Sequence, residues 1–114
     1  MTPKELKTEA YFYKTWTVNK SIREIQKQLS VHSENCGPYF GITVDPLDPK
    51  KARVQRTLAG LTDSATVFIM EFNENENGPT IINCWSNNSM MFRKTHADKL
   101  IQAIGDPYKC DGFF

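Results

Sequence analysis

No apolar run in this chain approaches the ~18 residues needed to cross a bilayer. The opening stretch Met1-Thr2-Pro3-Lys4-Glu5-Leu6 holds no apolar export core. That leaves two expectations, a cytosolic chain or a mature region whose export signal has been removed. An excess of charge is also missing: 14 basic side chains stand against 13 acidic ones. Nucleic-acid binders displace counterions with a basic surplus, so this balance argues against one. There is no Cys-x-x-Cys, no His-x-x-x-His and no Asp-x-Asp-x-Asp-Gly, which leaves zinc and calcium sites without a ligand pattern. The six glycines are scattered, so no phosphate cradle forms. No repeat or low-complexity tract occurs, and no cofactor is implied.

What is present suits one soluble domain. A chain of 114 residues can bury a core, and 39% apolar with 24% charged residues is ordinary for a globular protein. Residues 1–9 are polar and read as a flexible lead-in, leaving 10–114 as a single domain.

Ala10 to Val18 is rich in Tyr, Phe, Trp and Thr and reads as a strand. Alternation puts Phe12, Trp16 and Val18 on the core face, with Lys14 among them, and Tyr11, Tyr13, Thr15 and Thr17 on the other. Ser21-Ile22-Arg23-Glu24 is a capping box, in which the serine hydroxyl and the glutamate carboxylate each take an orphan backbone N–H. Ile22, Ile25 and Leu29 follow at helical spacing, and the helix should stop before Gly37-Pro38.

Tyr39 to Val44 is a short strand, and Asp45-Pro46-Leu47-Asp48-Pro49 a turn. Ala52 to Leu58 is a weaker strand, punctuated after by Gly60 and Asp63. Ala65 to Phe72 is apolar on both faces and therefore central. Asn73 to Gly78 is a turn, and Thr80 to Trp85 completes a hairpin. Ala97, Leu100, Ile101 and Ile104 mark a last helix ending at Gly105-Asp106-Pro107; its start is open between Asn87-Asn88-Ser89 and Thr95-His96-Ala97-Asp98. The order β-α-β-β-β-β-α predicts an α+β fold, an antiparallel sheet of four to five strands with two helices packed on one face.

Three cysteines carry the sharpest structural expectation. Cys36 and Cys110 each follow a helix in loop-like context, where Cβ atoms can meet without straining a ladder, whereas Cys84 lies inside a strand. The placing favours a Cys36–Cys110 disulfide with Cys84 a buried thiol. Three reduced thiols in a cytosolic chain, or Cys84 pairing with either partner, remain the alternatives.

Cys36 also has His32 four residues earlier, on one helical face, and His96 elsewhere in the chain. A cysteine nucleophile needs an imidazole to favour its thiolate, so a cytosolic cysteine-dependent enzyme is the alternative function. Any chain with these counts offers such pairs, and no family motif surrounds Cys36. The basic run Lys50-Lys51-Ala52-Arg53-Val54-Gln55-Arg56, with Arg93-Lys94, reads as a solvated edge strand whose lysines discourage edge pairing. Asn19-Lys20-Ser21 and Asn87-Asn88-Ser89 match a glycosylation acceptor, but both overlap helix caps that account for the residues.

The stretch Tyr11-Phe12-Tyr13-Lys14-Thr15-Trp16-Thr17-Val18, leading into the Ser21 helix and closing at Gly105-Asp106-Pro107-Tyr108-Lys109-Cys110, resembles small bacterial envelope lipoproteins of unknown function. Those proteins are similar in order: a strand, a helix ending near a cysteine, a β-meander, and a closing helix before a last cysteine. Their layout is related to the helix-grip arrangement. The resemblance covers most of the chain in element order and supplies no catalytic residue. The lipid-bearing cysteine of such proteins is absent here, as expected if it stood upstream. The resemblance implies a non-catalytic periplasmic or envelope domain, binding an envelope protein or component. The sheet face carrying Tyr11 and Tyr13, or the groove between helix and sheet, is the candidate contact surface, and a missing N-terminal anchor is the only link to a membrane. A small-ligand carrier of helix-grip type, which requires an enclosed apolar pocket, is a further alternative.

Overall fold

A computed structural model describes residues 1–37, 41–59, 64–89 and 92–110. Five strands, β1 (Phe12–Val18), β2 (Thr43–Asp45), β3 (Asp48–Ala59), β4 (Ser64–Glu74) and β5 (Thr80–Ser86), form one sheet in the order β1-β5-β4-β3-β2. Every neighbouring pair is antiparallel. Two long helices, α2 (Ile22–Cys36) and α3 (Lys94–Gly105), pack on one face, giving the α+β architecture that the periodicities predict. A short helix α1 (Pro3–Leu6) and a 3-10 turn (Glu9–Tyr11) precede β1.

Helix α2 starts where its capping box says it should. Ser21 Oγ accepts the Glu24 N–H at 3.1 Å, and Glu24 Oε1 accepts the Ser21 N–H at 3.3 Å. A partner invisible to local reading joins them: Glu74, at the end of β4, accepts the Ile22 N–H at 2.7 Å. A carboxylate there also suits the positive end of the helix dipole. Thr80, fully buried, donates from Oγ1 to the Lys20 carbonyl at 2.7 Å and fixes the strand-to-helix corner.

Helix α3 begins at Lys94, later than the Asn87 stretch and earlier than the Thr95 one. Asn88 nevertheless caps it at a distance, its Oδ1 accepting the Lys94 N–H at 3.2 Å. His96 Nδ1 accepts the Arg93 N–H at 2.9 Å, so the imidazole serves as a cap.

The core lies between helices and sheet. Ile22, Ile25 and Leu29 of α2 and Ala97, Leu100, Ala103 and Ile104 of α3 meet Ala52, Val54, Phe68, Met70, Phe72, Ile82 and Cys84 of the strands, all buried. Each of the larger side chains contributes roughly 1.5–3 kcal/mol on leaving water. The helix–sheet space, where a helix-grip carrier would hold its ligand, is filled by these side chains.

Three expectations are corrected. Residues 1–9 pack against the sheet instead of trailing from it. Leu6 is fully buried, the Met1 carbonyl accepts the Thr66 N–H at 2.8 Å, and α1 lies against β4. This explains why β4 is apolar on both faces: Ile69 points away from the helices, opposite Trp85, yet is fully buried beneath the N-terminal segment. Second, β3 is no edge. It runs over 12 residues with β2 alongside its first half and β4 along its length.

Third, β1 carries a bulge. Its register passes from Phe12 opposite Trp85 to Lys14 opposite Cys84, leaving Tyr13 as the extra residue. Phe12 therefore meets Trp85 on the outer face, ring centroids 5.8 Å apart, while Tyr13 turns to the helix side. Trp16 and Val18 face the helices as expected. Tyr11 lies in the 3-10 turn and does not extend the strand.

Of the short strand read at 39–44, residues 38–40 lie outside the described residues, and β2 occupies Thr43–Asp45. The Gly60 and Asp63 punctuation and residues 90–91 also lie outside them.

Candidate functional site

Alternation along β3 sends Ala52 and Val54 into the core and leaves Lys51, Arg53 and Gln55 on the sheet's other face. Register extends that face across all five strands. Thr43 stands opposite Arg53, Arg53 opposite Glu71, Glu71 opposite Asn83, and Asn83 opposite Thr15. The result is a polar row crossing the sheet.

Its members engage one another. Thr15 Oγ1 donates to Asn83 Oδ1 at 2.6 Å. Arg53 donates from Nη2 to Glu71 Oε2 at 2.6 Å and from Nη1 to Gln55 Oε1 at 3.1 Å. Lys7, just past α1, reaches the same Glu71 oxygen at 3.0 Å and lies 6.0 Å from the Trp85 ring centroid. Burial alone would raise the Glu71 carboxyl, but the two cations outweigh it and hold it below the ordinary carboxylate range.

Beside this row, β2 and its turn at Pro46 form one wall of a trough of about 620 Å³. Lys51, Arg53, Gln55, Glu71 and Asn73 line it from β3 and β4, with Thr43 and Asp45 opposite. Its size is that of a small-molecule site, and it is open to solvent. Sequence reading singled out the basic run but not its partners. The visible signal was Glu71, one charge inside the apolar run from Phe68 to Phe72.

The cysteine and histidine candidates lead to the junction of the two long helices. Gln28, His32 and Cys36 recur every four residues along one face of α2, and they meet the end of α3 and the chain beyond it in order. Gln28 Nε2 donates to the Ile104 carbonyl at 3.2 Å. His32 Nδ1 is 3.0 Å from the Pro107 carbonyl, and since a carbonyl only accepts, that nitrogen carries the proton. Cys36 is joined to Cys110, Cα atoms 5.3 Å apart. Gln28, His32 and the disulfide form a clasp along the two helix ends.

This placement bears on the cysteine-enzyme alternative. His32 does share a helical face with Cys36, but the imidazole is buried on the Pro107 carbonyl and the sulfur is bonded to Cys110. His96 sits in the first turn of α3, roughly 15 Å of helix from its C-terminal end. Cys84 is a buried free thiol, pushed up to about 12 by burial first and by the Asp98 charge second. A thiol so placed is not a thiolate at neutral pH.

Tyr11 and Tyr13 do not share an open face. Tyr11 is half-buried before β1. Tyr13 donates its hydroxyl to Asp98 of α3 at 2.7 Å, with the Lys94 ammonium 5.9 Å from its ring centroid. That hydrogen bond to the carboxylate, together with burial, raises the Tyr13 phenol above its ordinary value.

Among the described residues no group of three or more His, Cys, Asp or Glu side chains is placed to hold a metal ion. No protein-family model, curated protein or solved structure matches this chain.

Proposed function

We propose that the chain is a non-catalytic binding domain of a bacterial envelope, the soluble part of a lipoprotein working in an oxidising compartment. The observation that carries this reading is the Cys36–Cys110 bond. Disulfides persist in the periplasm and outside the cell, and glutathione and thioredoxin keep them rare in the cytosol. The partner is an envelope protein or component. It meets the domain on the sheet face away from α2 and α3, where the trough and the polar row offer uncovered hydrogen-bonding groups; the opposite face is occupied by the helices. Tyr11 lies in the turn just before β1, at the border of that surface, whereas the Tyr13 hydroxyl is held on the helix side by Asp98.

Alkylation inside intact cells, followed by fractionation and mass analysis under non-reducing conditions, tests the reading. The expected result is protein in the periplasmic or membrane fraction with Cys36 and Cys110 linked and Cys84 unmodified until unfolding. Cytosolic protein with three alkylated thiols would overturn it.

A further inference from the structure

We propose that the trough between β2, β3 and β4 is a site for an oxyanion, a carboxylate or phosphate group on a small ligand or envelope component, gripped by Lys51 and Arg53. The inference deepens the binding-domain reading and rests on it.

Charge is the first argument. Lys51, Arg53 and Arg56 line the cavity against Asp45 and Glu71. Glu71 is already neutralised from two sides, by Arg53 and by Lys7, which approaches from outside the trough. The Lys51 ammonium has no ion pair among the described residues, although it stands in a concavity where a cation attracts an anion more strongly than on a convex surface.

Hydrogen-bonding inventory is the second argument. The guanidinium of Arg53 spends one N–H on Glu71 and one on Gln55, which fixes its plane and leaves further N–H groups uncommitted. Gln55 has its oxygen occupied by Arg53, so its amide N–H groups remain. The Thr43 hydroxyl and the Asn73 amide make no side-chain hydrogen bond among the described residues. The uncommitted N–H groups of Lys51, Arg53 and Gln55 outnumber the remaining acid, Asp45, one oxygen of which already accepts the Leu47 N–H. A ligand that satisfies those N–H groups must bring acceptors, and an oxyanion brings several in the geometry a guanidinium fork matches. Arg53 is pre-oriented by its own partners, so little order is lost when an anion docks beside it.

The same reasoning explains Glu71. Its carboxylate holds Arg53 and Lys7 in place and makes no ion pair with Lys51.

Titration of the isotope-labelled full chain with inorganic phosphate, acetate and, as control, chloride at matched ionic strength tests this by backbone amide shifts. Phosphate or acetate is expected to move the Thr43, Arg53 and Asn73 amides saturably, with half-saturation below about 20 mM, while chloride does not. The arm that saturates lower identifies the ligand group as phosphate or carboxylate. Lys51→Ala should weaken the binding about tenfold with the remaining spectrum unchanged, and Lys51→Arg should largely restore it. Shifts equal to those of chloride, or an unchanged half-saturation in Lys51→Ala, would overturn the proposal. Neither outcome depends on where the protein resides, so failure here is separable from failure of the envelope reading.

Discussion

Removing the Cys36–Cys110 bond should lower stability by about 4.5 kcal/mol, because the bond closes a loop whose ends are 74 residues apart. The loop spans β2 to β5 and all of α3, so an unfolded chain without the cross-link regains most of its conformational freedom. The folded state loses little. Gln28 still donates to Ile104, His32 still meets Pro107, and the helix–sheet core does not include either sulfur. A Cys36→Ser/Cys110→Ser double variant is the cleaner perturbation than reductant, since it leaves two polar side chains at positions that are not fully buried.

For a chain of this length the loss corresponds to a Tm lower by roughly 15–20 °C. Urea denaturation followed by circular dichroism measures it, and the variant should also show a steeper m-value because its unfolded state is more open. Thiol counting in the same series checks the third cysteine: the wild-type chain should expose one reactive thiol, Cys84, and only through the unfolding transition. A stability difference below about 1 kcal/mol would refute the loop-entropy reasoning.

Two further outcomes follow from the packing. Leu6→Ala should cost about 2–3 kcal/mol, as expected for a buried leucine, and should deprotect the Thr66 amide to hydrogen exchange; a loss below about 0.5 kcal/mol would show that α1 does not seal Ile69. The Tyr13 phenol should titrate above ordinary tyrosines in ultraviolet difference spectra, and Asp98→Asn should bring it down. Its folded pKa is raised, so the stability it contributes is full below the unfolded value near 10 and is lost as pH rises through the folded one. A variant with unaltered titration would remove the Tyr13–Asp98 bond from the description.

Local chemistry made much of the fold legible. The capping box at Ser21 fixed the start of α2, the apolar residues at helical spacing marked both helices, and Gly105-Asp106-Pro107 ended α3. The two-sided apolarity of Thr66 to Met70 identified the central strand, though the sequence pattern did not say what covered its second face. The cysteine pairing was readable because Cys36 closes α2 and Cys110 follows α3 by a few residues. The trough was not readable, because Thr43, Arg53, Glu71 and Asn73 come from three strands and only register aligns them. The facing of Phe12 and Tyr13 was not readable for a related reason: the bulge at Tyr13 shifts the register, and period-two alternation carries no mark of a bulge.

Local spacing and capping set the two long helices, the main strands, the α+β class and which cysteines could meet, but not α1 or the 3-10 turn before β1. Those properties follow from side-chain spacing and capping within a few residues. The tertiary structure alone decided that α1 covers the back of β4, that Glu74 and Asn88 cap helices from distant strands and loops, and that Gln28 and His32 join the disulfide in one clasp. It also decided that Lys51 and Arg53 line one trough. Each of those depends on groups tens of residues apart, and long-range placement is set by sheet register and core packing, which no local pattern encodes.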